Sequence, residues 1–241
     1  MPSLVPLWRK IQRENFTSLA NLKKFLELTP QQCEALAERS AFPLNLPKRL
    51  AEKIEKGRID DPLFLQFVPL KKELETTPAF TADAVGDLLA IRAPKYLQKY
   101  ASRVLLLPTG ACAMHCRYCF RQHYPYSPLQ TGWEEEVNLV RQDLSLREVI
   151  LSGGDPLSLN QKPLRALIEA LDSIPHLQRI RFHTRFPIGI PERIDAEFLS
   201  LLASCSKQIW FVTHVNHPRE LDQEVLHALK TIQKLGIPVL N

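Results

Sequence analysis

Long apolar runs are missing from this 241-residue chain. No stretch approaches the ~20 consecutive apolar residues that cross a bilayer, which excludes a membrane-spanning helix. Residues 1–10 lack the basic-then-apolar order of a secretory leader. Cysteine is scarce: there are five, and three of them fall within eight residues. That distribution excludes a disulfide framework and points to a reducing compartment, so the expected location is the cytoplasm. Concentrated charge of one sign is absent as well. The net charge is +5 and the pI near 9.0, but Lys and Arg interleave with Asp and Glu. The expected surface is solvated and mildly basic, with no nucleic-acid and no membrane partner.

Two organisational regimes are present. Residues 1–95 are strand-poor, and segments 4–14, 18–28, 30–40 and 47–56 carry apolar residues at helical spacing. Pro30 and Pro47 sit where a helix begins, and 59–62 and 76–78 read as connectors. From residue 96 to 241 strands and helices alternate, with strand starts near Arg103, Arg147, Gln178, Lys207 and Ile237. Helices are predicted over 132–144, 161–174, 195–204 and 219–235. This repeat suits βα units with a parallel sheet. The predicted fold is α/β: a partial, TIM-like (βα) barrel behind a helical N-terminal region, with polar residues gathered after the strands. The last residues, 236–241, read as a further strand.

The chemistry is concentrated in Cys112-Ala113-Met114-His115-Cys116-Arg117-Tyr118-Cys119, a C-x3-C-x2-C spacing directly after the apolar run 103–109. Three thiolates are an incomplete set for structural zinc, which closes with four ligands, and no second C-x2-C pair exists. A cubane iron–sulfur cluster held by three cysteines leaves one iron open for another ligand. Zinc remains an alternative, with His115 completing a Cys3His site. A second signal, Ser152-Gly153-Gly154-Asp155-Pro156, follows the next strand. Its glycines permit close backbone approach to a ligand and Asp155 adds an anion, although a Gly-Gly-Asp turn is commonly just a connection.

The cysteine spacing with Tyr118 before the third cysteine resembles the radical S-adenosylmethionine superfamily, and Gly153-Gly154-Asp155 is similar to its GGE-like motif. The runs 103–107, 116–121, 152–157, 183–187 and 213–218 together resemble lysine 2,3-aminomutase. Residues 120–126 and 55–62 look like the branch that serves β-lysylation of elongation factor P. The resemblance implies that Cys112, Cys116 and Cys119 bind a 4Fe-4S cluster. It further implies that Gly153, Gly154 and Asp155 hold S-adenosyl-L-methionine, with His217 near the adenosyl part. Arg121 would pair with the substrate carboxylate through a guanidinium fork. Arg103 would grip the phosphate of pyridoxal 5'-phosphate, and Lys99 would stand in for a second phosphate-binding arginine. Each has a plainer alternative: surface ion pairing for Arg103 and Arg121, helix capping for His217. Arg185 and His214 lie at strand ends without an assigned role.

Family membership implies conversion of L-lysine to (R)-β-lysine by a deoxyadenosyl radical and a 1,2-amino migration. It also implies a reducing electron donor such as flavodoxin or ferredoxin, and a product passed to the elongation factor P lysylation ligase. The lysine that carries resting pyridoxal phosphate is expected in a glycine-rich segment beyond Asn241, and no lysine within 1–241 has such a context. The chain therefore reads as the first two thirds of the enzyme, cut off before that segment, and no catalytic residue is assigned within it. The competing expectations are a radical S-adenosylmethionine enzyme without pyridoxal phosphate, and an inactive truncated Fe–S or zinc-binding domain.

Overall fold

The computed structural model describes residues 5–75, 77–78, 80–126 and 132–241. Leu4, where the first helix was expected to begin, and Thr76 of the second connector lie outside them. The first part of the chain forms short helices: α1 (Leu7–Gln12), α2 (Leu19–Phe25), α3 (Pro30–Glu34), α4 (Lys48–Ala51) and α5 (Phe64–Phe67). The first four are shorter than their apolar periodicity predicts, for a tertiary reason. Phe16 and Leu46 exchange backbone hydrogen bonds of 2.8 and 3.0 Å, and Leu36 bridges Leu70. Both bridges pull the chain out of helix. Local chemistry sets the starts as expected: Thr29 and Gln32 form a reciprocal capping box with Pro30 in the first turn of α3.

One sheet runs in sequence order through β1 (Ile91–Ala93), β2 (Tyr96–Tyr100), β3 (Arg103–Thr109), β4 (Glu148–Gly153), β5 (Arg179–His183), β6 (Gln208–Val212) and β7 (Val239–Leu240). The first three strands are antiparallel and β3 to β7 are parallel. Helices α6 (Glu134–Gln142), α7 (Gln161–Asp172), α8 (Phe186–Gly189), α9 (Ala196–Ser204) and α10 (Gln223–Gln233) cross between parallel strands. The parallel strands fall where the apolar runs predict them. The β1–β2 hairpin is an addition: its burial does not alternate, and Arg92, Gln98 and Lys99 mask it as a polar loop.

Register explains the two faces of the sheet. Val104, Val149, Ile180 and Ile209 are aligned partners, as are Leu106 and Leu151, Phe182 and Phe211, and all are buried. The opposite face places Glu148 beside Arg179 at 3.0 Å, Arg181 at 3.3 Å and Arg103 at 3.8 Å. Burial works to raise the Glu148 pKa, but the three arginines hold it below the usual carboxylate range. Trp8, Phe64 and Phe67 of the first helices belong to the same continuous core as Val149, Phe182 and Phe186. Trp8 meets Phe186 edge-on, with centroids 5.5 Å apart. Because β3 to β6 are parallel, the segments that follow them all emerge on one edge of the sheet.

Candidate functional site

That edge carries a cavity of about 340 Å³. Cys112, Cys116 and Cys119 line it from the segment after β3, and Gly153, Gly154 and Asp155 from the segment after β4. Thr184 and Arg185 after β5 and Thr213 and His214 after β6 complete the rim. Burial pushes the Cys112 thiol well up, and Asp155 and the other two cysteines push the same way. Burial also raises Cys119, opposed by the Arg121 N–H. Cys112 and Cys119 thus resist ionisation, and a cationic centre held by the cysteines would release those protons on binding.

The cysteine segment is sewn to the first helices. His115 N donates to Asn45 O at 2.9 Å, Arg117 N to Gln66 O at 2.8 Å, and Asn15 Nδ2 to Ala113 O at 2.7 Å. Arg117 Nη1 donates to Phe42 O at 2.7 Å, and its Nε reaches both Glu73 carboxylate oxygens at 2.9 and 3.1 Å. His115 is a brace: Nδ1 donates to Pro43 O at 2.8 Å and the ring stacks on Phe42 at 4.5 Å. Among the described residues no three His, Cys, Asp or Glu side chains converge as on a single metal ion. The Cys3His zinc alternative thus finds no fourth ligand in His115. The donor set that does face the cavity is three soft thiols with an open side. That set fits a cluster carrying one uncoordinated iron.

The two glycines serve close backbone packing. Gly153 has φ +104°, a left-handed value that side chains rarely adopt. Gly154 N donates to Thr109 O at 2.9 Å, and a Cβ at Gly154 would stand 2.4 Å from Ala111 O. The turn can therefore lie directly against the segment that leads to Cys112. Asp155 is buried and saturated. Its Oδ1 accepts from Thr184 Oγ1 at 2.7 Å and Leu157 N at 3.0 Å, its Oδ2 from Arg185 N at 2.9 Å and Phe186 N at 3.0 Å. Burial raises its pKa above the ordinary carboxylate value, although these four donors pull the other way. The three backbone N–H partners, Leu157, Arg185 and Phe186, can only donate, so the ionised form uses this shell best. The carboxylate ties the segment after β4 to the segment after β5.

The predicted cations gather at a second, adjoining cavity of about 230 Å³ lined by Lys99, Arg103 and Arg121. Asp87, 3% exposed, bridges two of them, with Oδ1 at 2.6 Å from Lys99 Nζ and Oδ2 at 2.7 Å from Arg121 Nε. Burial works against ionisation of Asp87, but these two cations hold its pKa below the ordinary value. Arg103 lies over the Tyr100 ring at 5.6 Å. His217 is outside the lining of either cavity, and its Nδ1 accepts from Arg219 N at 3.2 Å as a helix cap. His183 lines the larger cavity, with Nε2 buried and unpartnered. Burial, aided by Arg181, lowers its pKa to about 4.

Sequence reasoning missed Asn15, Asn45, Gln66 and Asp87, because nothing in their local spacing marks them. Glu220 was missed likewise, whereas Arg185 and His214 carried a weak signal as polar residues at strand ends.

Residues 101–184 match the 4Fe-4S single cluster domain family, the class of domain that this stretch is similar to. L-lysine 2,3-aminomutase of Haemophilus influenzae is 39% identical over 238 residues, covering 97% of this chain and 70% of that protein. The enzyme of the same name from Escherichia coli is 38% identical over 212 residues, 86% of this chain and 62% of that protein. The one from Buchnera aphidicola is 38% identical over 204 residues, 83% and 60% respectively. The chain belongs to the lysine 2,3-aminomutase family of radical S-adenosylmethionine isomerases. It spans about two thirds of the length of these relatives. No helix of the described residues is long and apolar enough to cross a membrane.

Proposed function

We propose that the chain provides the cluster and S-adenosyl-L-methionine half of an enzyme that converts L-lysine to (R)-β-lysine for attachment to elongation factor P. One observation carries this reading: three thiols and a Gly-Gly turn face each other across a single cavity at the C-terminal ends of parallel strands. When bound, a 4Fe-4S cluster, S-adenosyl-L-methionine and pyridoxal 5'-phosphate together supply the radical hydrogen transfer and the amino migration. The chain's own residues hold, orient and shield.

Cys112, Cys116 and Cys119, which line the cavity, would hold the cluster through three of its irons. Gly153 and Gly154 present backbone to a ligand in it, with Asp155 as their anchor. Lys99 and Arg103 would take a phosphate, and Arg121 a carboxylate, because three cations line the smaller cavity and Asp87, its one lining carboxylate among the described residues, pairs with only two of them. The cap made by His217 leaves it a minor role in holding the adenosyl group. The sequential strand order and one-edge clustering support an open (βα) barrel over 96–241, with 1–95 as a helical wall that braces the cysteine segment. A low-potential donor such as flavodoxin or ferredoxin in the cytoplasm completes the scheme.

Anaerobic reconstitution tests it. Purified protein should take up close to four irons and four sulfides per chain, and serine at Cys112, Cys116 or Cys119 should abolish uptake. Reduced, reconstituted protein should cleave S-adenosyl-L-methionine to 5'-deoxyadenosine. Formation of β-lysine only when pyridoxal phosphate is added separates the aminomutase from a radical enzyme that does without it. Protein that binds zinc and no sulfide would overturn the proposal.

A further inference from the structure

Arg185 is buried, 7% exposed, although it carries a permanent charge. Its Nη1 lies 2.9 Å from Cys116 Sγ and also donates to the Tyr118 hydroxyl. Its Nη2 donates to Glu220 Oε2 at 2.7 Å and to Gln66 Oε1 at 2.5 Å. Glu220 is fully buried, 0% exposed. Its Oε1 accepts from Gln66 Nε2 at 3.1 Å, Asn216 N at 3.1 Å and His217 N at 2.9 Å. The guanidinium also lies over the Phe67 ring at 4.9 Å and the Tyr118 ring at 5.5 Å. Three separate parts of the chain therefore fix one cation against one sulfur: the first helices through Gln66, the segment after β5, and the segment after β6 through Glu220.

The three sulfurs are not equivalent. Cys116 receives a guanidinium N–H, Cys119 a backbone N–H from Arg121, and Cys112 faces the Asp155 carboxylate. A donor and a positive charge at a ligating thiolate stabilise the more negative, reduced form of a cluster, and low local polarity strengthens the effect. Ordinary fold maintenance does not require a buried arginine to end on a cysteine; a backbone carbonyl would satisfy it equally well.

We propose that Arg185, clamped by Glu220 and Gln66, is a positioning residue that hydrogen-bonds the Cys116 thiolate and raises the reduction potential of the cluster it helps to hold. This rests on the cluster reading above and adds a role that this reading does not contain. Arg185 supplies the favourable charge and Glu220 partly offsets it, so the two carry opposite signs of influence on one readout.

The experiment is a redox titration of the reconstituted protein, followed by the spin-resonance signal of the reduced cluster, with iron and sulfide counted for every variant. At the wild-type midpoint the reduced-to-oxidised ratio is one. Glu220→Gln should raise that ratio at least threefold, about 28 mV for one electron at 59 mV per tenfold. The double variant Arg185→Met with Glu220→Gln, which leaves no buried charge unpaired, should lower it at least threefold. Arg185→Lys, which keeps the charge without the fork, should lie between the double variant and wild type. Variants that assemble a full cluster with ratios unmoved, or moved in the same direction by Glu220→Gln and by the double change, would overturn the proposal. If the double variant takes up no iron, Glu220→Gln and Arg185→Lys still decide by the sign of their shifts. Wild-type protein that takes up no iron sinks the cluster reading itself, a different result from a full cluster with an unmoved potential.

Discussion

Asp155 offers the sharpest test of what the Gly-Gly-Asp turn is for. Replacing it by Asn keeps the side chain's shape but turns one oxygen into an amide nitrogen. With Oδ1 retained toward Thr184 and Leu157, the new N–H2 faces Arg185 N and Phe186 N, which now approach Oδ2 at 2.9 and 3.0 Å. Phe186 N keeps a second acceptor in Thr184 Oγ1 at 3.1 Å, whereas Arg185 N has none in this shell. A buried donor left unsatisfied costs ~1–3 kcal/mol, and a bond to a charged acceptor is worth ~1.5–3 kcal/mol. One donor fully stranded and one weakened give a loss of about 2–4 kcal/mol for Asp155→Asn. Thr184→Val removes one donor to Oδ1 and the fallback acceptor, at about 1–2 kcal/mol. The two changes should be non-additive, since they share one carboxylate. Urea unfolding of the metal-free chain, followed by far-ultraviolet circular dichroism, measures all of this. If Asp155→Asn shifts stability by less than about 0.5 kcal/mol while S-adenosyl-L-methionine binding is lost, the carboxylate is a ligand and not an anchor, and the reasoning is refuted.

Three further outcomes are expected. Gly154→Ala should cut iron uptake in reconstitution, because its Cβ would stand 2.4 Å from Ala111 O and must push the turn away from the cysteine segment. Trp8→Ala should destabilise the whole chain in a single urea transition by about 3–5 kcal/mol, since a buried ring packed on Phe186 is deleted. An early separate transition of the first helices would count against that. Asp222 caps α10 and pairs with Lys53 at 2.7 Å and Arg49 at 2.9 Å. Burial opposes its ionisation, but Lys53, the Val225 N–H and Arg49 bring its pKa to about 2. A depressed carboxylate contributes stability above its unfolded value, ordinarily 3.8, and loses it as pH falls through about 2. Asp222→Asn should thus cost about 1 kcal/mol at neutral pH after allowance for solvent screening. The gap from wild type should narrow below pH 3.8; a gap constant down to the acid limit would contradict the assignment.

How much was legible depended on whether a feature is local. The parallel strands announced themselves because a strand covered by helices needs a continuous apolar run, as in 149–151 and 209–212. The hairpin of β1 and β2 did not, because an edge element with Lys99 and Arg92 has no alternation to read. Helix lengths in the first part were overestimated for a related reason: bridges such as Phe16 with Leu46 are contacts across sequence, and periodicity cannot register them.

The cysteine spacing and the paired glycines were readable in one dimension. Ligating three irons demands thiols at fixed short separations, while Gly153 takes a left-handed φ and Gly154 lies where a Cβ would meet Ala111 O at 2.4 Å. Which charges meet which was decided by folding alone. Asp87 reaches Arg121 across 34 residues, Gln66 reaches Arg185 across 119, and Arg185 reaches Cys116 across 69. Such pairings depend on where parallel strands end and which loops share that edge. The composition of each segment sets what it can bond, and the packed sheet selects its partner.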